Sequence, residues 1–255
     1  IHAREVIGDA RAASAFGVNF GEPEIDIDKL REWKDQVIKK LTTGLRGLAD
    51  KRKIRYIRAL ASFKDNSTLK LEAKGDENGD VSEELEFENC IIATGGKPFV
   101  PGPLKVDHLR VMGSREALNL PDIPERLLVV GGGYIGLELG QVYNGLGSNV
   151  TVVEMLDRLL SGTDKALVRP LQRHLKESFE NIHLQTTVEK LEAHDEKVTA
   201  HFQPKDGDAW TEEFDRVLIA VGRKPYTGNL GLENVKVEVD DKGFVQVDEQ
   251  MRTAE

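Results

Sequence analysis

The stretch Leu127-Leu-Val-Val-Gly-Gly-Gly-Tyr-Ile-Gly-Leu-Glu138, followed by Val150-Thr-Val-Val-Glu154, decides the fold. Leu127 to Val130 is a short apolar run of the kind that forms a buried parallel strand. Gly131, Gly133 and Gly136 then supply a G-x-G-x-x-G turn, with Gly132 inside it. Leu137 to Leu146 continues with helical spacing, and Gly147 stops that helix. Val150 to Val153 makes a second strand, which ends in an acid. Each part has a physical task. Gly131 permits the tight turn, Gly133 lets backbone approach a pyrophosphate, and Gly136 lets the helix lie close on the strand. The helix start offers unpaired N–H groups and a positive dipole end to phosphates. A lone glycine pattern is weak, but here strand, turn, helix, second strand and acid stand at the expected spacing. The bland alternative is an ordinary βαβ turn without a ligand.

Glu154 selects the dinucleotide. A carboxylate at the end of the second strand accepts hydrogen bonds from the adenosine ribose hydroxyls and repels a 2′-phosphate. An NADP site calls for Arg or Lys there. Arg158 lies four residues on, but Asp157 beside it weakens that reading, so NAD is favoured. Exchanging Glu154 for arginine is expected to weaken NAD use and admit the 2′-phosphate. A cap or surface ion pair is the bland role for Glu154.

Composition narrows the class. At 255 residues the chain has room for one large core or two modest ones. A hydrophobic fraction of 39% with 31% charged residues is that of a soluble globular protein. No apolar run approaches the roughly 18 residues of a membrane span, and the start lacks the basic and apolar regions of a signal peptide. A net charge of −9 argues against a nucleic-acid partner, which needs a basic face. The single cysteine, Cys90, rules out an internal disulfide and a cysteine-based zinc site. Its setting, Cys90-Ile-Ile-Ala, suggests burial, and one cysteine suits a reducing compartment. No metal site is expected. The chain starts at Ile1 inside a helix-like stretch (1–16) and stops at Glu255 just after a strand-like Phe244-Val-Gln-Val-Asp248. It therefore reads as an internal piece of a longer protein.

Residues 28–53 read as one long helix. Asp26 or Asp28 is a fitting N-cap, and Leu30, Trp33, Val37, Leu41, Leu45 and Leu48 recur at spacings of three and four. Its lysines, arginines and acids read as a solvated face. Strand-like runs follow at 54–57, 59–63 and 68–72. A polar turn, Gly75-Asp-Glu-Asn-Gly-Asp80, leads to another at 84–88, which together give an antiparallel meander. Asn89 to Gly95 reads as an apolar strand entering a glycine turn. Five of the nine prolines (Pro98, Pro101, Pro103, Pro121 and Pro124) fall between 97 and 125 and mark a domain crossing. Beyond Glu154 the pattern gives a helix over about 164–179 and strands at 183–185, 188–193 and 197–202. Arg216-Val-Leu-Ile-Ala-Val-Gly222 is a last apolar strand ending in glycine. Its ending echoes Ile92-Ala-Thr-Gly95, as two similar nucleotide-binding folds would, and as chance also would.

Taken together, these residues resemble the two-dinucleotide-binding flavoprotein disulfide reductases, most closely their dihydrolipoamide-oxidising branch. The resemblance rests on Phe20-Gly-Glu-Pro, Asp26-Ile-Asp-Lys, Ile91-Ile-Ala-Thr-Gly95, Pro124-Glu-Arg-Leu-Leu, Gly131 to Glu138, Val152-Val-Glu-Met155, Val221-Gly-Arg-Lys-Pro225 and Val237-Glu-Val-Asp-Asp-Lys-Gly-Phe244. Single motifs are shared by the whole superfamily, whereas the ordered series with Glu154 points to the NAD-linked branch. The resemblance implies an α/β fold of tandem dinucleotide-binding, Rossmann-like domains, each with a parallel sheet and an antiparallel β-meander. It divides the chain into a partial FAD-binding domain (1–96) lacking its first βαβ unit, an NAD-binding domain (97–222), and the start of a return to the FAD and central domains (223–255).

It also implies an activity. Electrons pass from dihydrolipoamide to an active-site disulfide, to FAD and then to NAD. The C-x4-C redox pair would precede Ile1 and the His-Glu base would follow Glu255, so no catalytic residue is expected within this chain. Cys90 matches neither redox cysteine. NAD contacts are implied at Gly131, Gly132, Gly133, Tyr134, Ile135, Gly136, Leu137, Glu138, Glu154, Val188 and Gly222. Val188 would pack on adenine or simply fill a core; Gly222 would bring backbone near the nicotinamide half or simply turn the chain. Glu138 would pair with an upstream lysine or stay a helix-surface acid, and Tyr134 would gate the nicotinamide or only pack. FAD contacts are implied at Ala61, Thr94, Gly95 and Gly96. Alanine at 61, where relatives often have glycine, leaves less room for backbone approach. The implied partners are dihydrolipoamide on the lipoyl domains of 2-oxo-acid dehydrogenase complexes and a second copy in a homodimer, in the bacterial cytoplasm by preference over a mitochondrial matrix. Other flavoprotein disulfide reductases (mercuric or glutathione reductase), a soluble transhydrogenase, or an NAD-binding fragment without turnover are the alternatives.

Overall fold

The structure, a computed structural model, describes residues 1–73 and 83–255. Helices α1 (His2–Ala12) and α2 (Ile27–Lys51) open the chain, and strands β1 (Ala59–Asp65), β2 (Thr68–Ala73), β3 (Glu84–Glu86) and β4 (Gly96–Pro98) follow. Then come β5 (Val111–Met112), α3 (Ser114–Leu118), β6 (Arg126–Val130), α4 (Tyr134–Gly145), β7 (Asn149–Glu154) and α5 (Lys165–Ser178). Strands β8 (Asn181–Leu184), β9 (Thr186–Ala193), β10 (Val198–Pro204), β11 (Trp210–Phe214), β12 (Arg216–Ile219) and β13 (Arg223–Pro225) complete the set. The fold is α/β, with one parallel sheet and two antiparallel three-stranded sheets among the described residues. Two compact units divide it: Ile1–Asp35 with Pro98–Gly222, and Gln36–Lys97 with Arg223–Glu255.

The first unit is built on a parallel sheet in the order β5-β12-β6-β7-β8. Its central strands β12, β6 and β7 are mainly apolar because both faces are covered. Leu127, Val129, Val150, Val152 and Leu218 face a core completed by Leu137, Tyr143, Leu175 and Phe179. Leu128, Val130, Val153, Val217 and Ile219 face the opposite core, roofed by Val188, Leu191, Val198, Ala200, Phe202 and Phe214 of the β9-β10-β11 meander. The chain leaves β6 through α4 to β7 on one side, while β12 returns on the other. The strand order thus reverses between β6 and β12, and doubly wound sheets bind ligands at the carboxyl ends of the strands at such a reversal. The expected helix over 164–179 is α5, whose N-cap Asp164 accepts the Ala166 N–H at 2.7 Å. Strand β11 is absent from the sequence reading, although Asp206-Gly-Asp208 followed by alternating Trp210, Glu212 and Phe214 carries a hairpin signal.

In the second unit, β1, β2 and β3 form the expected meander, with Ala59 opposite Ala73 and Leu69 opposite Leu85. The turn expected at Gly75 to Asp80 lies outside the described residues. Helix α2 begins within the residues of the first unit, where Asp26 caps it by accepting the Lys29 N–H at 3.0 Å. The helix buries none of its residues, and Val37, Leu41, Leu45 and Leu48 are exposed.

Several element expectations need correction. Residues 89–95 form no strand: no strand among the described residues is paired with them, and only Gly96–Pro98 is extended, against β13. A parallel strand needs partners for its backbone groups, and apolar side chains alone do not supply them. Cys90 is exposed rather than buried, for the same reason. The runs 54–57 and 244–248 are likewise not strands; the latter contributes only the isolated bridge between Val239 and Val245.

Candidate functional site

The glycine turn sits at the carboxyl end of β6. Gly131 has φ of +112°, a region that side chains rarely adopt, and a Cβ there would meet the Ala220 carbonyl oxygen at 2.5 Å. Its N–H donates to the Val153 carbonyl at 2.8 Å, which seats the turn across β7. At Gly136 a Cβ would collide with the Gly131 carbonyl oxygen and lie 3.0 Å from Val129 Cγ1. That is the close helix–strand packing that the third glycine serves. Gly133 is different. It is the N-cap of α4 in extended conformation, and a Cβ built on it meets nothing within 4 Å.

The space in front of Gly133 is therefore open, and the first turn of α4 lies behind it. The Leu137 N–H is the first to bond within the helix, to the Gly133 carbonyl at 3.0 Å. Donors before it lack intrahelical partners and carry the positive end of the helix dipole. An open, glycine-floored approach to such donors fits a pyrophosphate. Ile135 is half-buried and Leu137 is buried; both pack against the core and anchor the helix. Tyr134 is 64% exposed beside the turn, and Glu138 is exposed further along the helix.

Glu154 closes the site at the end of β7. Its Oε2 accepts the Gly132 N–H at 2.7 Å and its Oε1 accepts the Leu156 N–H at 2.9 Å. A carboxylate accepts at up to about four positions, so acceptor capacity is left for ribose hydroxyls. Arg158 donates instead to the Ser161 carbonyl. Gly222, following β12, has φ of +144° and open space around its missing side chain, while its carbonyl accepts the Phe99 N–H at 3.0 Å. Val188 is 9% exposed and packs in the core beneath the meander. The turn, Glu154 and the Gly222 loop thus gather at the carboxyl ends of β6, β7 and β12. Val188 faces inward from β9.

The residues matched to a flavin lie in the second unit. Ala61 is exposed on β1, opposite Leu71. Thr94 Oγ1 donates to the Tyr226 carbonyl at 2.7 Å, and the Gly95 carbonyl accepts the Tyr226 N–H at 2.9 Å. Gly95 has φ of +68°, and a Cβ on Gly96 would meet the Lys224 carbonyl oxygen at 2.8 Å. These three residues form a turn stitched to the start of the returning chain. Cys90 is at the surface, yet partial shelter of its sulfur pushes the thiol pKa up from its ordinary value. It is held as a thiol at neutral pH, the form that is a poor nucleophile.

The resemblance implies an NAD contact at Gly132, and the glycine pattern assigns it no structural task. Both of its backbone polar groups are used: the N–H by Glu154 and the carbonyl by the Leu160 N–H at 3.0 Å. No signal in the glycine pattern identifies Leu160 as the donor.

The pyridine nucleotide-disulphide oxidoreductase family matches residues 3–255. Proteins named dihydrolipoyl dehydrogenase from Vibrio cholerae and Haemophilus influenzae are each 39% identical over 99% of this chain and 52% of their own length. A dihydrolipoyl dehydrogenase from Haloferax volcanii is 37% identical over 96% of the chain and 51% of its own length. The chain spans about half the length of the curated relatives it matches. Among solved structures, the Cu(II) complex of the HOCl-induced flavoprotein disulfide reductase RclA from Escherichia coli superposes with a TM-score of 0.76 at 26% identity, covering 99% of this chain and 53% of that one. Members of this family use FAD and NAD. No helix among the described residues is long and apolar enough to cross a membrane. With its glycine turn, its acid-ended second strand and a match running from residue 3 to residue 255, the chain belongs to the pyridine nucleotide-disulphide oxidoreductase family.

Proposed function

We propose that this chain supplies the NAD-binding portion, and part of the FAD-binding portion, of a dihydrolipoyl dehydrogenase. The observation that carries the reading is the Glu154 carboxylate, held 2.7 Å from the Gly132 N–H beside the open face of Gly133. Identity of 39% to relatives of that name supports it. Residues 1–96 are read as part of a flavin domain, 97–222 as the NAD domain and 223–255 as the start of the return. Ile1–Asp35 packs with the first unit, so its flavin assignment rests on the sequence resemblance.

In this reading the Gly133, Tyr134 and Ile135 N–H groups receive the pyrophosphate, with Gly131 and Gly136 shaping the turn. Glu154 takes the ribose hydroxyls, and Val188 backs the adenine from the core. Tyr134 stands over the nicotinamide, and Gly222 brings backbone alongside it. Leu137 anchors the helix. Glu138 is exposed and free to meet a cation outside this chain. Ala61 and the Thr94–Gly96 turn approach the flavin through backbone. When bound, FAD and NAD supply the relay and the hydride acceptor; the protein supplies position and electrostatics. The substrate is dihydrolipoamide carried on lipoyl domains of 2-oxo-acid dehydrogenase complexes, and the intact protein is a cytoplasmic homodimer. The likeness to the RclA structure favours one second reading, another flavoprotein disulfide reductase of the same architecture.

The test is NAD reduction by the intact protein with dihydrolipoamide as donor, with flavin absorbance in the same sample. Turnover with dihydrolipoamide supports the first reading; a yellow protein inert towards it but active on another disulfide supports the second. The 255 residues alone are expected to be silent, because a dithiol–disulfide couple needs two cysteines and the chain has one. Lipoamide-dependent NADH oxidation by those residues alone would contradict this.

A further inference from the structure

We infer that the segment following β7, through Leu159 and Leu160, is a clamp that positions the glycine turn, so that affinity for NAD is set by these two leucines as well as by Glu154. The inference rests on the reading that the adenosine half of NAD sits at this turn. Gly132 is the meeting point. Its N–H donates to Glu154 Oε2 at 2.7 Å and its carbonyl accepts the Leu160 N–H at 3.0 Å. Leu159 is fully buried, and its Cδ2 lies 2.6 Å from where a Cβ on Gly132 would stand. Leu160 has φ of +48°, a left-handed conformation that leucine holds only where its surroundings over-determine it. Those surroundings are the bond to Gly132 and the bond from the Thr163 N–H to the Leu160 carbonyl at 2.8 Å.

Two consequences follow for binding. Gly132 has no N–H to offer a phosphate, so the anion depends on donors further along, whose direction is fixed by how Gly132 is held. Both Glu154 oxygens already accept a backbone N–H, from Gly132 and from Leu156, so the carboxylate is oriented before a ribose arrives. Cofactor preference is then not the property of one side chain. Glu154→Arg removes both acceptors and loosens the turn, so it weakens NADH binding without an equal gain for NADPH. That limits the simple exchange of preference expected from charge alone.

The experiment is titration of the intact protein with NADH, followed by calorimetry, alongside amide hydrogen exchange at Gly132 and Leu160. Leu159 is buried and cannot touch the cofactor, so a purely local site leaves Leu159→Ala unchanged. The clamp predicts roughly tenfold weaker NADH binding, the worth of about one hydrogen bond's geometry. It also predicts faster exchange at both amides with unaltered flavin absorbance. Gly132→Ala alone binds NADH more weakly still, and adding Leu159→Ala restores part of the loss because the obstructing methyl is gone. Glu154→Gln keeps one oxygen for the Gly132 N–H and falls between the parent and Glu154→Arg. If Leu159→Ala does not fold, Leu159→Val makes the same comparison with a smaller deletion. Parent-like NADH affinity and exchange in the folded leucine variant, or simple additivity in the double variant, overturns the clamp. Failure of the parent to bind NADH overturns the underlying reading instead.

Discussion

Two stretches of this chain end almost alike, Ile92-Ala-Thr-Gly95 and Ile219-Ala-Val-Gly222, but only the second is led in by a strand. Ile219 is 4% exposed at the end of β12, between the parallel neighbours β5 and β6, with both sheet faces covered. Its counterpart Ile92 is only half-buried, and Ile91 just ahead of it is 92% exposed, in a segment without regular structure. Both stretches are apolar and both run into a left-handed glycine, Gly95 or Gly222. The difference is the company. Backbone donors and acceptors need partners before an apolar run becomes a strand, and the burial of side chains follows from that pairing.

The largest effect that sharpens this contrast is at the isoleucines. Ile219→Ala should destabilise the first unit by about 2–5 kcal/mol, the usual cost of truncating a packed core residue. Ile91→Ala in the same chain should change stability by no more than about 0.5 kcal/mol. Thermal or urea unfolding checks both, and equal costs would break the comparison.

Next comes the device that fixes the start of β12. Asp215 Oδ2 accepts the Arg126 N–H at 2.7 Å and its Oδ1 accepts from Lys197 Nζ at 2.7 Å, tying β12 to the start of β6. Asp215→Ala leaves the Arg126 N–H without that partner and should cost about 1–3 kcal/mol. Burial pushes the Asp215 carboxyl up, but the bonds from Lys197 and Arg126 outweigh it and hold the pKa below its ordinary value of 3.8. A depressed carboxylate stabilises the fold fully above the unfolded value and loses that contribution as pH falls through the folded one. The gap between parent and variant should therefore be constant near neutrality and shrink only below about pH 3.8. A gap that narrows between pH 8 and 6 would rule out this assignment.

The smallest effect expected is at Tyr143, fully buried on α4, whose hydroxyl donates to the Ala117 carbonyl at 2.9 Å. Burial pushes its pKa up to about 12. Tyr143→Phe should cost about 1 kcal/mol and leave the glycine turn untouched. Spectrophotometric titration should show no phenolate from Tyr143 at pH 10.

These contrasts also mark how far the sequence is legible. Periodicity and the glycine pattern locate β6, α4 and β7 because their core lies within the first unit and their turn chemistry is local. Glu154 is legible for the same reason, since its distance from the turn follows from one helix and one strand. Asn89 to Gly95 and Cys90 read wrongly because composition records what a segment could bury against, not whether a strand pairs with it, and among the described residues none does. The tie from Leu160 to Gly132 was invisible for another reason. It depends on a left-handed leucine held by tertiary packing, and no residue preference announces that.

The proposed function depends on the turn from Gly131 to Gly136, with Glu154 beside it, receiving NAD. The most direct measurement is parallel titration of the intact protein with NADH and NADPH. NADH should bind at least about tenfold more tightly, because the 2′-phosphate of NADPH meets the Glu154 carboxylate. Equal affinity for the two would contradict it.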